Sequence, residues 1–242
     1  EATVAAIVDV SVGRLAVATL DVTGTTGIRS AIGYDGDLVA PIVLPGALGT
    51  GSGDLVTMIP GSEGVSLAAS LLGTGPAQPV AGLAEAAPTG GSARAFPVSA
   101  AEASAIVFES DGVAVARRTS GDRDSGSLVG GSPATGWILL PTVATRPFHI
   151  GIAIANPGDA PATVVVTALG PGPTPITLPI AAHQTILVPA AFADLAGTVA
   201  VMVVASSGEV VVGGGSSSGG KAGNAAYATA LGVPIPDAWL PA

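Results

Sequence analysis

This chain has no cysteine, which removes disulfides, thiolate metal sites and cysteine nucleophiles together. Lysine is nearly missing as well. Lys221 stands alone beside seven arginines and 17 carboxylates, for a formal net charge of −9 over 242 residues. An acidic, lysine-poor chain without a basic cluster is a poor match for a phosphate backbone or an anionic lipid surface. Charged residues make up only 10% of the chain, well under the usual quarter. Mean hydropathy is high at +0.65, yet no apolar run approaches the roughly 18 residues of a membrane-spanning helix. The longest clean run, Val199–Ala205, has the length of a strand.

What the chain does have is glycine, proline and short apolar runs, arranged periodically. Residues 198–212, TVAVMVVASSGEVVV, match residues 3–17, TVAAIVDVSVGRLAV, at 7 of 15 positions without a gap, and a looser copy lies at 104–116, SAIVFESDGVAVA. In each copy two apolar runs flank a turn ending in Gly13, Gly112 or Gly208, which predicts a β-hairpin. A second pair of segments, 52–76 and 149–173, aligns without a gap at an offset of 97, with Pro60-Gly61 matching Pro157-Gly158 at a turn. Each copy also carries a short strand ending in Leu-Pro, at Leu38–Pro45, Gly136–Pro141 and Ala238–Pro241, and two of these contain tryptophan. A lone large aromatic in such a strand most often anchors the packing.

These repeats predict an all-β chain of tandem immunoglobulin-like β-sandwich units of about 97 residues, the size of one sandwich domain. Residues 1–46 are expected to be a partial repeat packed on the next unit, followed by units at 47–141 and 142–242. Short helices are plausible only near Ser99–Ser104, Ala190–Leu195 and Asn224–Leu231. Within the strand over Ile150–Ala155, isoleucines alternate with Gly151, Ala153 and Ala155, giving one large-residue and one small-residue face.

The segments Trp137–Pro141, Ala155–Asp159 and Ala162–Thr167 together resemble a family of uncharacterised actinobacterial secreted or envelope proteins with immunoglobulin-like repeats. The likeness covers most of 136–212. The earlier copy departs from it, with Ile59 in place of Asn156 and Val43 or Leu44 near the Trp137 position. The resemblance implies export, attachment at the cell envelope and no catalytic residues. A start at Glu1 rather than Met is in keeping with a processed or trimmed N-terminus.

Several motifs mimic chemistry. Gly215–Lys221 fits the spacing of a phosphate-binding loop, but Ala222 stands where the magnesium-binding hydroxyl belongs, and the matching stretches of the other copies are not phosphate loops. Gly215–Gly219 fits a nucleophile elbow, but that needs a strand–turn–helix setting and a histidine further on. His149 and His183 both precede it. Asp122 and Asp124, like Asp35 and Asp37, have the spacing that calcium uses. Arg117, Arg118 and Arg123 oppose a cation there, so a solvated ion-pair cluster is the plainer reading. No cofactor or metal is expected.

The sequence therefore points to a non-catalytic structural or protein-interaction module at the extracellular or periplasmic face of the envelope. Its partner is expected to be another envelope protein or a further copy of itself, with no nucleic acid and no membrane span. The alternative is a carbohydrate-binding module assisting wall polysaccharide assembly, for which Tyr34 and Tyr227 are the candidate stacking residues. Tyr34, Tyr227, Asp122 and Asp124 are the candidate contact residues for either role.

Overall fold

Alternation decides where these strands fall. In Ala162–Leu169, ATVVVTAL, the side chains of Ala162, Val164 and Val166 are buried while Thr163, Val165 and Thr167 are half-exposed, because successive residues of a strand point to opposite faces. The structure is a computed structural model that describes residues 18–23, 27–32, 40–46, 54–60, 67–80, 94–98, 104–110, 113–120, 125–144, 148–189, 197–218 and 227–236. Among the described residues every regular element is a strand.

In chain order the strands are β1 (Ala18–Thr23), β2 (Gly27–Ile32), β3 (Ile42–Leu44), β4 (Asp54–Pro60), β5 (Ala69–Leu72), β6 (Gln78–Pro79) and β7 (Arg94–Val98). They continue with β8 (Ala105–Phe108), β9 (Val113–Ser120), β10 (Ser125–Val129), β11 (Gly136–Ala144), β12 (Phe148–Asn156) and β13 (Ala162–Leu169). The last six are β14 (Ile176–Ile180), β15 (Gln184–Leu187), β16 (Gly197–Ser207), β17 (Val211–Ser218), β18 (Tyr227–Leu231) and β19 (Val233–Pro234).

β1 and β2 pair with each other. The other strands form four antiparallel sheets, which we number I to IV. Sheet I has the order β10–β9–β4–β7 and sheet II the order β3–β8–β5–β6. Sheet III runs β18–β17–β12–β15, and sheet IV runs β19–β11–β16–β13–β14. Adding eight to each strand number of sheet I gives sheet III, and the same operation on sheet II gives sheet IV without its extra edge strand β19.

The apolar runs at 104–116 and 198–212 are not hairpins. β8 lies in sheet II and β9 in sheet I, while β16 lies in sheet IV and β17 in sheet III. In both copies the chain passes from one sheet of a pair to the other between the two runs, as an arch at Gly208, while Gly112 lies outside the described residues. In the second arch Gly208 has φ +75, and a Cβ there would stand 3.0 Å from the Cβ of Ala162, so the turn uses both the left-handed backbone and the missing side chain. The copy at 3–17 lies outside the described residues. The helix expected over Asn224–Leu231 is also corrected, since Tyr227–Leu231 is strand β18 paired with β17. The other two helical segments fall almost wholly outside the described residues.

β11 pairs along β16, with Trp137 opposite Val203, so the boundary expected after Pro141 falls inside a strand of sheet IV. Trp137 is 1% exposed and sits in a core with Leu139, Ile152, Ile154, Val164, Val166, Val203 and Val212, drawn from the facing sides of sheets III and IV. Each such aliphatic side chain contributes about 1.5–3 kcal/mol on burial. In β8 all four residues are buried, so sheet II is covered on both faces at this strand, which is why it is a continuous apolar run. Val43, Leu72, Ala105 and Val107 of sheet II belong to the same buried cluster as Ala155 and Val211 of sheet III. A backbone bond from Thr185 N to Gly73 O (2.9 Å) links the two pairs of sheets.

Candidate functional site

The site lies beside the first of two places where a strand leaves one sheet and joins another. Gly130 continues the β10 ladder by donating to Val115 O of sheet I (2.9 Å); Gly131 then exchanges both backbone bonds with Val43 of sheet II, each 2.9 Å. At the equivalent point Gly232 donates to Val212 O of sheet III (2.9 Å), and Val233 and Pro234 pair with β11 of sheet IV. Such a transfer makes the corner of a sandwich. Space makes these positions glycine. A Cβ on Gly130 would lie 2.6 Å from Ile42 Cγ2 and 2.9 Å from Val115 Cγ2, and one on Gly232 would lie 3.0 Å from Trp137 Cε3 and 3.2 Å from Val212 O.

Beyond the first switch the chain stays pinned. Ala134 exchanges two backbone bonds with Val210 (3.0 Å each), and Thr135 O accepts from Ala205 N (2.7 Å). Trp137 Nε1 donates to Val210 O at 2.6 Å, which satisfies the indole that its burial would otherwise leave unpaired. Between these bonds opens a cleft of about 380 Å³ lined by Ala40, Pro41, Ser132, Pro133, Pro157, Gly158 and Glu209. Four separate segments meet there, and Glu209 brings the one carboxylate of the lining.

One wall of the cleft is held by Asn156, which is 1% exposed. Its Nδ2 lies within bonding distance of three carbonyls, Ala160 O (2.9 Å), Ala181 O (3.1 Å) and Ile180 O (3.2 Å), while its Oδ1 accepts from Gly158 N (3.0 Å). An amide offers two N–H donors and a carbonyl, so this one side chain ties the Pro157-Gly158 turn to the 180–183 turn. His183 sits in the latter with φ 54, its N donating to Gly158 O (3.3 Å) and its Nε2 2.9 Å from Asp159 Oδ1. His183 is 42% and Asp159 99% exposed. The pair is a solvated surface contact of small energetic weight.

Chemically the cleft offers proline and glycine surface, backbone groups and one acid. Among the described residues no cluster of three or more His, Asp or Glu side chains is placed to hold a metal. Gly215–Ser218 of the two mimicked motifs lie in β17, paired to β12 on one side and to β18 on the other. That is an extended strand, not a loop around phosphate or a nucleophile elbow. Tyr34, Asp122 and Asp124 lie outside the described residues. Tyr227 opens β18 opposite Ser217, with its backbone alone described, and His149 lies in β12, likewise described by its backbone. Neither Tyr227 nor His149 is among the described residues that line the cleft. What sequence reading missed was the convergence of Pro41, Pro133 and Pro157, which no local signal brings together. Among the described residues no helix is long and apolar enough to cross a membrane, a statement that does not bear on spanning by strands. No known protein family, characterised protein or solved structure matches this chain.

Proposed function

We propose that the chain is a non-catalytic structural and protein-interaction module, built of tandem immunoglobulin-like sandwich units and working at the extracellular or periplasmic face of the cell envelope. The observation that carries this reading is the strand order of sheets I and II, which recurs in sheets III and IV eight strands later. In an immunoglobulin sandwich strand B lies beside E in one sheet and C beside F in the other. Here β4 lies beside β7 and β5 beside β8, and then β12 beside β15 and β13 beside β16.

The units differ from that plan at their ends. The place of strand G, beside F, is taken by the opening strand β3 or β11, and the place of A, beside B, by β9 or β17. The units are therefore best drawn with β3 and β11 as their first strands. Repeated sandwiches, each closed at a corner by a strand switch and joined to the other by the backbone bonds of Ala134, Thr135 and Thr185, suit a part that holds position and presents loops, which is where binding residues concentrate. The Pro- and Gly-lined cleft with Glu209 at the junction is the surface we assign to a partner protein.

The test is capture from detergent-solubilised envelope on the immobilised chain, with bound species identified by mass spectrometry. One reproducible protein, lost when Glu209 and Ser132 are both replaced by arginine, supports the reading. Retention by isolated wall polysaccharide with no protein captured overturns it in favour of sugar binding.

A further inference from the structure

We infer that the cleft takes an arginine side chain of the partner protein, its guanidinium on the Glu209 carboxylate and its stem against the prolines. The inference deepens the assignment of the cleft to a partner protein and rests on it. Charge is the first observation. The lining comes from the described segments 40–46, 125–144, 148–189 and 197–218, which contain Asp159 and Glu209 but no Lys or Arg. Glu209 is exposed, and among the described residues its carboxylate has no ion-pair or hydrogen-bond partner. A cation entering the cleft meets an acid that no basic residue of these segments neutralises.

Hydrogen-bonding capacity points the same way. Pro41, Pro133 and Pro157 have no N–H, and Gly158 N already donates to Asn156 Oδ1. Every lining residue still has its carbonyl, and Ser132 and Glu209 add side-chain oxygens. A lining rich in acceptors and short of donors calls for an occupant that donates. A sugar, whose hydroxyls both donate and accept, is the poorer complement.

Size and shape select arginine. The cleft holds about 380 Å³, near the small end of the roughly 300–1,000 Å³ of ligand clefts. That is room for one long side chain and the backbone beside it, not for a folded surface. Proline rings and glycine backbone give apolar walls for the stem. The guanidinium is more weakly hydrated than an ammonium, and its five donors in a fork serve a carboxylate and nearby carbonyls together. The walls are already fixed, one by the Ala134–Val210 bonds and the other by Asn156, so little ordering is left for the moment of binding.

The test is an NMR titration of the full chain with an N-acetylated, C-amidated pentapeptide of four alanines around one arginine. The amide signals of Ser132, Gly158 and Glu209 are expected to shift and saturate at millimolar peptide. Citrulline in place of the arginine keeps the shape and removes the charge, and it should bind about tenfold more weakly. Glu209→Gln, at an exposed position, should weaken the arginine peptide by a similar factor while leaving signals away from the cleft in place. A lysine peptide should bind at least about threefold more weakly than the arginine one.

An arginine peptide without saturable shifts overturns the inference. So does undiminished binding by the citrulline peptide, by the lysine peptide or to Glu209→Gln, or the same shifts produced by chitotetraose. Envelope capture reads the underlying assignment separately. If the peptide fails while one protein is still captured, and lost in the double arginine variant, the cleft keeps its partner and loses only the arginine. If the peptide binds and the envelope yields no protein, the arginine site stands and the envelope partner falls.

Discussion

Sheets II and IV have matching strands and opposite surroundings. β8 and β16 occupy the same place, between an opening strand and the third strand of the unit, yet β8 is buried throughout while β16 alternates from Val201 to Val204. Position in the sheet does not set burial; what lies on the second face does. The lesson is that the uncharged composition of sheet II goes with a neighbour on its second face, whereas sheet IV carries the same composition with half-exposed residues there.

The comparison breaks most sharply at Trp137. The opening strand of sheet II has only aliphatic residues, Ile42, Val43 and Leu44, whereas sheet IV has this indole. Trp137→Ala should cost about 3–5 kcal/mol, read by equilibrium urea unfolding, because it opens a cavity and takes from Val210 O one of its two donors, leaving Ala134 N. A loss under half of that would mean the core between sheets III and IV refills as easily as an aliphatic one.

Next comes Asn156→Ile, which gives the second unit the residue that the sequence alignment sets against it in the first, Ile59. It leaves Gly158 N and up to three carbonyls without their partner, so about 3 kcal/mol should be lost. Faster hydrogen exchange at Gly158 would locate the damage. An unchanged melt would show that the two loops need no different chemistry.

The paired switches give a finer contrast. Gly130→Ala forces a methyl against the stiff branched carbons of Ile42 and Val115 and should cost about 1–3 kcal/mol. Gly232→Ala meets its neighbours 0.3–0.4 Å farther off, from 3.0 and 3.2 Å against 2.6 and 2.9 Å, and should cost less in the same thermal melts. The reverse order would mean the indole yields less than the two methyls.

The smallest effect is at the joint between the pairs. Thr185 is 1% exposed and its Oγ1 has no hydrogen-bond partner among the described residues. Thr185→Val removes that orphan at nearly constant shape and should be neutral or stabilising by up to about 1 kcal/mol. Destabilisation beyond that in a urea titration would mean the hydroxyl is satisfied after all.

The class of fold and the positions of many strand ends were legible, because Pro-Gly turns, alternation and apolar runs are local signals. Topology was not. Gly112 and Gly208 looked like hairpin turns since a glycine between two apolar runs fits a hairpin and an arch equally well. The discriminating sign was the unbroken apolar run Ala105–Phe108, which a strand open to water on one face does not need. Ala- and Leu-containing 224–231 suggested a helix by propensity, but an open edge beside Gly213–Ser217 overrides propensity with ladder bonds. The cleft stayed hidden because its seven residues come from four segments spread over 170 positions of chain, and none of them looks chemical alone.

Gly130 through Gly136 has one more consequence, a mechanical one. Along these seven residues the backbone is fastened in turn to Val115, Val43, Val210, Ala205 and Ile235, so almost no length is left slack between the first pair of sheets and the second. Tension along the chain passes from one unit to the next through these ladder bonds rather than through a tether. Stretched between its ends in a force spectrometer, the molecule should not give up its units one at a time like beads on a thread. The first rupture is expected to release both together, because the segment that finishes one unit is the same segment that secures the other.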